Sequence, residues 1–262
     1  MIGAEVESPA SHLEHVAIEV ARMAADLVRP GVGVARIAGT KSTPTDVVTD
    51  HDLRSEALIR SELVARCPGS SIMGEEYGDR AGVNGISWIV DPIDGTVNFL
   101  YGLPVVSTSI AARIDGVVVA GAVADVRTGH TFSASLGDGA RLDGVGLRAS
   151  EVASLDQALI GTGFGYAAEV RAAQASVLVE LLPRCRDIRT MGSAALNLCW
   201  VGAGRLDAYF ERDLKPYDYA AGALVAAEAG AVVSLPTDGS DLTVAASPRI
   251  AGAVGELVGR DR

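Results

Sequence analysis

The chain has 262 residues, 48% hydrophobic and 21% charged, enough to bury a large core and unlike a disordered or fibrous polymer. Its formal net charge of −11 and lack of a basic cluster exclude nucleic acid as the default partner, because such binding draws on Lys and Arg against phosphates. The three cysteines, Cys67, Cys185 and Cys199, are far apart and form no C-x-x-C, which excludes a disulfide framework and points to a reducing compartment.

Ser11 with Glu14 three residues on reads as a capping box. Leu13, Val16, Ala17, Val20, Ala24 and Leu27 then recur at helical spacing until Pro30-Gly31 ends the helix. No basic region followed by an apolar stretch precedes it, so no signal peptide is expected. A second helix is expected over 51–65, with Pro68-Gly69 beyond its end. Strands follow at 71–73, 86–90, 105–114, 117–123 and 131–134. Asp115-Gly116 marks a two-residue hairpin and Asp143-Gly144 another turn. The run 117–123 is too short to span a bilayer, so a cytoplasmic protein without a membrane partner is expected.

Beyond about residue 150 strands and helices alternate. Strands are expected at 158–162, 188–191, 207–211, 232–235 and 242–246. Helices are expected at 168–182, 193–201, 218–229 and after Pro248. The order implies an α+β half (1–149) with an antiparallel sheet and an α/β half (150–262), layered in a single domain of 1–262. The scarcity of aromatic residues (5%) leaves the core to Ala, Val, Leu and Ile.

The most informative segment is Trp88-Ile89-Val90-Asp91-Pro92-Ile93-Asp94-Gly95-Thr96. An apolar strand delivers Asp91, Pro92 fixes a turn, Asp94 follows, and Gly95-Thr96 offers N–H groups at a helix start, where phosphate binds readily. Carboxylates beside a phosphate cradle require cations between them, and oxygen-only ligands suit Mg²⁺ or Mn²⁺. Further acids lie at Glu75-Glu76, at Asp50 and Asp52, and at Asp218. Any one of them reads equally well as a cap, a turn or a solvated loop residue; four acidic elements in this order are more specific.

The stretches KSTPTDVVTDHD, GEE, WIVDPIDGTVNF, GSAALNLCWVGAGRLDAYFE and YDYAAG, from Lys41 to Gly222, resemble the inositol monophosphatase family. The resemblance implies a layered α-β-α-β-α sandwich shared with fructose bisphosphatases and Mg²⁺-dependent, lithium-sensitive hydrolysis of inositol monophosphate. It implies that Glu75, Asp91 and the Ile93 carbonyl hold one Mg²⁺, that Asp91, Asp94 and Asp218 hold a second, and that a third sits near Glu75. Asp52 and Thr96, with Glu75, would orient and deprotonate the attacking water. Gly95 and Thr96 would receive phosphate oxygens, with Glu75, Asp94 and Asp218 also touching substrate. Glu211, Gly192, Ser193 and Ala194 would meet ring hydroxyls, with Arg189 near them and Lys41 on a mobile loop. Tyr217 stands where many members carry Trp, which shifts substrate fit.

A homodimer is likewise implied, and so is an association of some bacterial relatives with RNA polymerase. The rival substrates are fructose 1,6-bisphosphate, histidinol phosphate and nucleotide 3′-phosphates. Gly161-Thr162-Gly163-Phe164-Gly165-Tyr166 glances at a dinucleotide fingerprint but lacks its third glycine, and reads as a turn-rich strand exit. No H-E-x-x-H or G-x-S-x-G occurs.

Overall fold

The computed structural model describes residues 8–259 apart from 238. Helix α1 (Pro9–Val28) is capped by Ser8, whose hydroxyl accepts from the Ser11 N–H at 3.1 Å. The expected Ser11–Glu14 box therefore lies inside the helix. Pro9 explains the shift: it tolerates the first turn of a helix, where its missing N–H has no intrahelical partner. A short ribbon of β1 (Ile37–Thr40) and β2 (Val47–Thr49) leads into α2 (Asp50–Arg66). Thr49 and Asp52 form the capping box of α2.

Eight strands form the first sheet: β3 (Ser71–Gly74), β4 (Gly78–Arg80), β5 (Ile86–Asp94), β6 (Ser107–Ile114), β7 (Val117–Asp125), β8 (Thr131–Ser135), β9 (Ala140–Leu142) and β10 (Val145–Gly146). Their order is β10-β9-β8-β7-β6-β5-β3-β4. All pairs are antiparallel except β3 with β5. Asp115 (φ 49°) and Gly116 (φ 85°) make the expected two-residue hairpin, both in the left-handed region that such turns require. Helix α3 (Thr96–Tyr101) lies between β5 and β6.

The second sheet has the order β12-β11-β13-β15-β14. It is built from β11 (Leu159–Thr162), β12 (Asp187–Thr190), β13 (Ala208–Arg212), β14 (Val232–Ser234) and β15 (Leu242–Ala246). Its helices are α4 (Ala168–Leu181), α5 (Ala194–Gly202), α6 (Pro216–Glu228) and α7 (Ala251–Val258). β11 runs parallel to β12 and β13, as the alternation predicted, while β14 and β15 return antiparallel.

The layers follow from which faces are apolar. α1 and α2 cover one face of the large sheet through Val20, Ala24, Ile59 and Leu63 against Trp88, Ile110 and Ala122. α5 and α6 fill the middle, with Ala195, Cys199, Ala221 and Val225 against Ile89, Val123 and Phe132. On their other side Leu198, Val201 and Ala226 meet Tyr209 and Ala245. α7 closes the outer face of the small sheet through Val254 and Leu257. The result is the α-β-α-β-α sandwich the sequence implied.

A helix between two sheets has no polar face, which is why α6 buries Ala220 through Ala226 without a break. Gly222 lets α5 and α6 approach: a Cβ there would stand 2.8 Å from both the Ala195 carbonyl and the Leu198 Cβ. Gly222→Ala is expected to destabilise by about 1–2 kcal/mol net, overpacking exceeding the helix-propensity gain of about 1 kcal/mol. The check is a lower urea midpoint at unchanged slope.

Candidate active site

β5 carries apolar residues to both faces because helices lie on both sides of it, and then breaks register. Asp91 pairs with Ser109 and Asp94 with Ser107, so three steps on β5 oppose two on β6. Such bulges re-aim side chains and gather near active sites. The Pro92 carbonyl accepts from the Ser55 hydroxyl (3.2 Å) and the Thr108 hydroxyl (3.0 Å). The Ile93 N–H donates to Asp91 Oδ1 at 3.0 Å. Gly95 follows at φ 93°, and a Cβ there would come within 2.9 Å of the Gly192 and Val105 carbonyls. Only glycine fits that turn.

Asp94 joins the two halves of the fold. Its Oδ1 accepts from the Ala194 N–H (3.1 Å), and its Oδ2 from the Ala195 N–H (2.9 Å) and the Ser107 (3.2 Å) and Ser193 hydroxyls. Burial raises its pKa, with these donors opposing. A carboxylate offers about four lone-pair sites, so Oδ1 keeps one for a further partner. Ser193 caps α5 and is buried. Asp218, at the third position of α6, accepts from the Lys215 N–H at 2.5 Å. Burial lifts its pKa well above the usual range despite that bond.

From the other side, the β1–β2 loop brings the Lys41 ammonium to 2.7 Å from Glu75 and 2.6 Å from Glu76. Burial disfavours the charged lysine, but the two glutamates more than offset it and raise its pKa. Burial also pushes Glu76 up to about 7. Asp91, 2% exposed, is lifted well above the carboxylate range by burial and then by the charges of Glu75, Asp94 and Asp218. Behind them Asp52 is wholly buried, accepting from the Thr49 N–H (2.7 Å) and hydroxyl (2.5 Å), with the Thr96 hydroxyl 3.2 Å from its Oδ1. Burial raises Asp52 as well.

These groups line a cavity of about 370 Å³. Among the residues expected from sequence, Lys41, Glu75, Asp91, Ile93, Asp94, Gly95, Thr96, Gly192, Ala194, Glu211 and Asp218 all face it. Asp52 and Ser193 stand one layer behind, hydrogen-bonded to Thr96 and Asp94. Arg189 does not line it: on edge strand β12 its guanidinium pairs with Asp187 at 2.5 Å, two residues along the same strand face. Phe164, Gly165 and Tyr166 do line it, an addition the sequence reading lacked. The glycine-rich run after β11 was the available signal. Glu211, pushed up to about 7 by burial, takes a hydrogen bond from the Tyr209 hydroxyl. Tyr217 borders the cavity and packs against the middle-layer cluster.

Seven acidic side chains line the cavity against three basic ones. A phosphate ester dianion would be repelled by this set alone, and hard oxygen donors of this kind fit a divalent cation such as Mg²⁺. Among the described residues, no three acidic, His or Cys side chains close on a common point. Glu75 is instead drawn onto Lys41, Asp91 onto the Ile93 amide, Asp94 onto the α5 amides and Asp218 onto the Lys215 amide.

The model of the inositol monophosphatase family matches residues 10–260. The chain belongs to the inositol monophosphatase family. An inositol-1-monophosphatase of Mycobacterium leprae is 51% identical over 243 residues, covering 87% of this chain and 82% of that one. The Nus factor SuhB of Escherichia coli K12 is 37% identical over 248 residues, covering 92% and 93%. Among solved structures, Mycobacterium tuberculosis SuhB matches with a TM-score of 0.83 at 42% identity, covering 97% of this chain and 98% of that one. Family membership makes the protein a phosphoric monoester hydrolase of a metal-dependent family. Among the described residues no helix is long and apolar enough to cross a membrane.

Proposed function

We propose that the protein hydrolyses inositol monophosphate to inositol and phosphate with two to three Mg²⁺ ions. The observation that carries this is the gathering of Glu75, Asp91, Asp94 and Asp218 in one cavity, where burial disfavours their charges. Glu75, Asp91 and the Ile93 carbonyl would hold one ion, Asp91, Asp94 and Asp218 a second, and Glu75 a weaker third. Bound cations would offset the ester's charge, acidify water and stabilise the leaving alkoxide.

The chain's own groups do the rest. Thr96 and Asp52 form a hydroxyl–carboxylate pair beside the phosphate position, and the raised pKa of Asp52 makes it the more effective proton acceptor. Glu75 orients the same water. The turn at Gly95 presents the Gly95 and Thr96 N–H groups to phosphate oxygens. Glu211, steadied by Tyr209, lines the same cavity as Gly192, Ala194 and Phe164 and would meet the ring hydroxyls. Arg189 stays outside this set because Asp187 holds it on β12. By family resemblance the protein would act in the cytoplasm as a lithium-sensitive homodimer.

Phosphate release from inositol 1-phosphate, histidinol phosphate, fructose 1,6-bisphosphate and a nucleotide 3′-phosphate, with and without Mg²⁺, tests the reading. Inositol 1-phosphate should turn over fastest and only with the metal; faster histidinol phosphate turnover would reject the substrate. Glu211→Gln should lower kcat/KM for inositol 1-phosphate about 10–100-fold, the worth of one charged hydrogen bond. A second reading, a role like that named for the Nus factor SuhB relatives, is favoured by their similarity over nearly the whole chain. Complementation of a mutant lacking the protein by an inactive Asp94→Asn variant would support it.

A further inference from the structure

Helix α2 buries three polar side chains in a row that the reaction scheme above uses only in part. Asp52, Ser55 and Glu56 are each wholly buried, and each touches a different piece of the site. Asp52 meets Thr96 at the start of α3, and Ser55 meets the Pro92 carbonyl in the β5 bulge. Glu56 reaches the turn between β3 and β4, which carries Glu75. Its Oε2 accepts from the Glu76 N–H at 2.7 Å and its Oε1 from the Tyr77 N–H at 3.2 Å.

Arg60, one turn on, completes the fastening. Its Nε donates to Glu56 Oε1 at 2.7 Å, another guanidinium nitrogen donates to the Gly78 carbonyl, and its Cζ lies over the Tyr77 ring, 5.8 Å from the centroid. The carboxylate is so close to the turn that a Cβ at Gly74 would stand 2.1 Å from Glu56 Oε1.

The turn needs such a fastener. It joins Gly74 to Gly78, which pair across the hairpin, and β4 beyond it is a three-residue, fully exposed strand at the edge of the sheet. On the cavity side Lys41 ties the glutamate side chains. On the helix side, among the described residues, Glu56 and Arg60 tie the backbone. Successive N–H groups converging on one buried carboxylate make a stiff, charge-assisted clamp.

We propose that Glu56, backed by Arg60, is a positioning residue that fixes the backbone under Glu75 and thereby sets the affinity of that arm for divalent cations. α2 then acts as a template holding Glu75, the β5 bulge and Thr96 in mutual register. The inference rests on the reading of Glu75 as a cation ligand.

The test is Mg²⁺ binding by calorimetry to the full chain, beside hydrogen exchange at single amides. In the unaltered protein the Glu76 and Tyr77 amides should exchange far more slowly than solvent-facing amides of β4; equal rates would overturn the clamp. Glu56→Gln, which keeps shape but replaces one acceptor by a donor, should speed exchange at those two amides and weaken Mg²⁺ binding at least tenfold. The half-saturating Mg²⁺ in turnover should rise by the same factor with KM for the ester unchanged, a split that general destabilisation would not produce. Mg²⁺ binding within twofold of the parent would overturn the proposal. If Glu56→Gln fails to fold, Arg60→Gln, less buried, should show the same pattern at about threefold, and its absence there counts equally against it. Glu75→Gln separates the two readings: if it binds Mg²⁺ like the parent, the ligand assignment fails, and if it alone loses binding, only the clamp fails.

Discussion

Asp91→Asn should reduce phosphate release from inositol 1-phosphate by on the order of 10²–10³-fold, the cost of removing one preorganised electrostatic group. In chelator, the same variant should melt at a higher temperature than its parent. The two outcomes share one cause. Asp91 is 2% exposed and its charged form is opposed by burial and by Glu75, Asp94 and Asp218. Asparagine has nearly the same shape and can still accept from the Ile93 N–H, so the bulge keeps its form. What disappears is a group whose charged form burial opposes in the cation-free protein and the proposed metal site requires. Retained turnover would remove Asp91 from the site. A lower melting temperature in chelator would mean that the carboxylate serves the fold, which is the capping and turn role its sequence also allowed.

How far the sequence disclosed this site varies with the kind of signal. The apolar run ending at Asp91 made β5 legible, but not that the strand continues to Asp94, because the bulge breaks the pattern before Asp94 pairs again with Ser107. The ribbon of β1 and β2 and the short β4 escaped notice for a different reason. β1 and β4 are mostly exposed, so no apolar alternation marks them. Arg189 was drawn toward the site by resemblance, yet period-two geometry puts it on the same face as Asp187, and the pair closes on itself. Glu56 and Arg60 are four apart on a helix, the spacing of an ordinary solvated ion pair. Only the folded chain shows Glu56 wholly buried under the Glu76 and Tyr77 amides. Asp52 was visible as a helix-start acid, and it does cap α2; its second contact, to Thr96, depends on β5 folding across the helix.

In chelator the protein should be less stable at pH 8 than at pH 5, by roughly 10–20 °C in melting temperature. The sign follows from acids whose folded pKa lies above the unfolded one. Glu211 and Glu76 move from 4.5 to about 7, in both cases chiefly through burial, and Asp91 and Asp218 move up in the same direction. Between pH 4.5 and 7 the folded chain holds protons that the unfolded chain has released, so stability falls as pH rises through that window. Each fully shifted glutamate is worth on the order of 3 kcal/mol at the high-pH end, and about 2–4 °C accompanies each kcal/mol in a chain of this size. Exposed acids with lowered pKa, such as Asp143 and Asp187, act only below about pH 4 and leave the window untouched. Mg²⁺ at a hundred times its dissociation constant should restore about 2.7 kcal/mol at pH 8, and much less at pH 5, where protons compete for the same oxygens. Glu211→Gln should flatten part of the chelator curve. Melting temperatures in chelator that climb from pH 5 to pH 8 would show the buried acids already ionised at no loss, and the electrostatic basis for cation binding would fail with them.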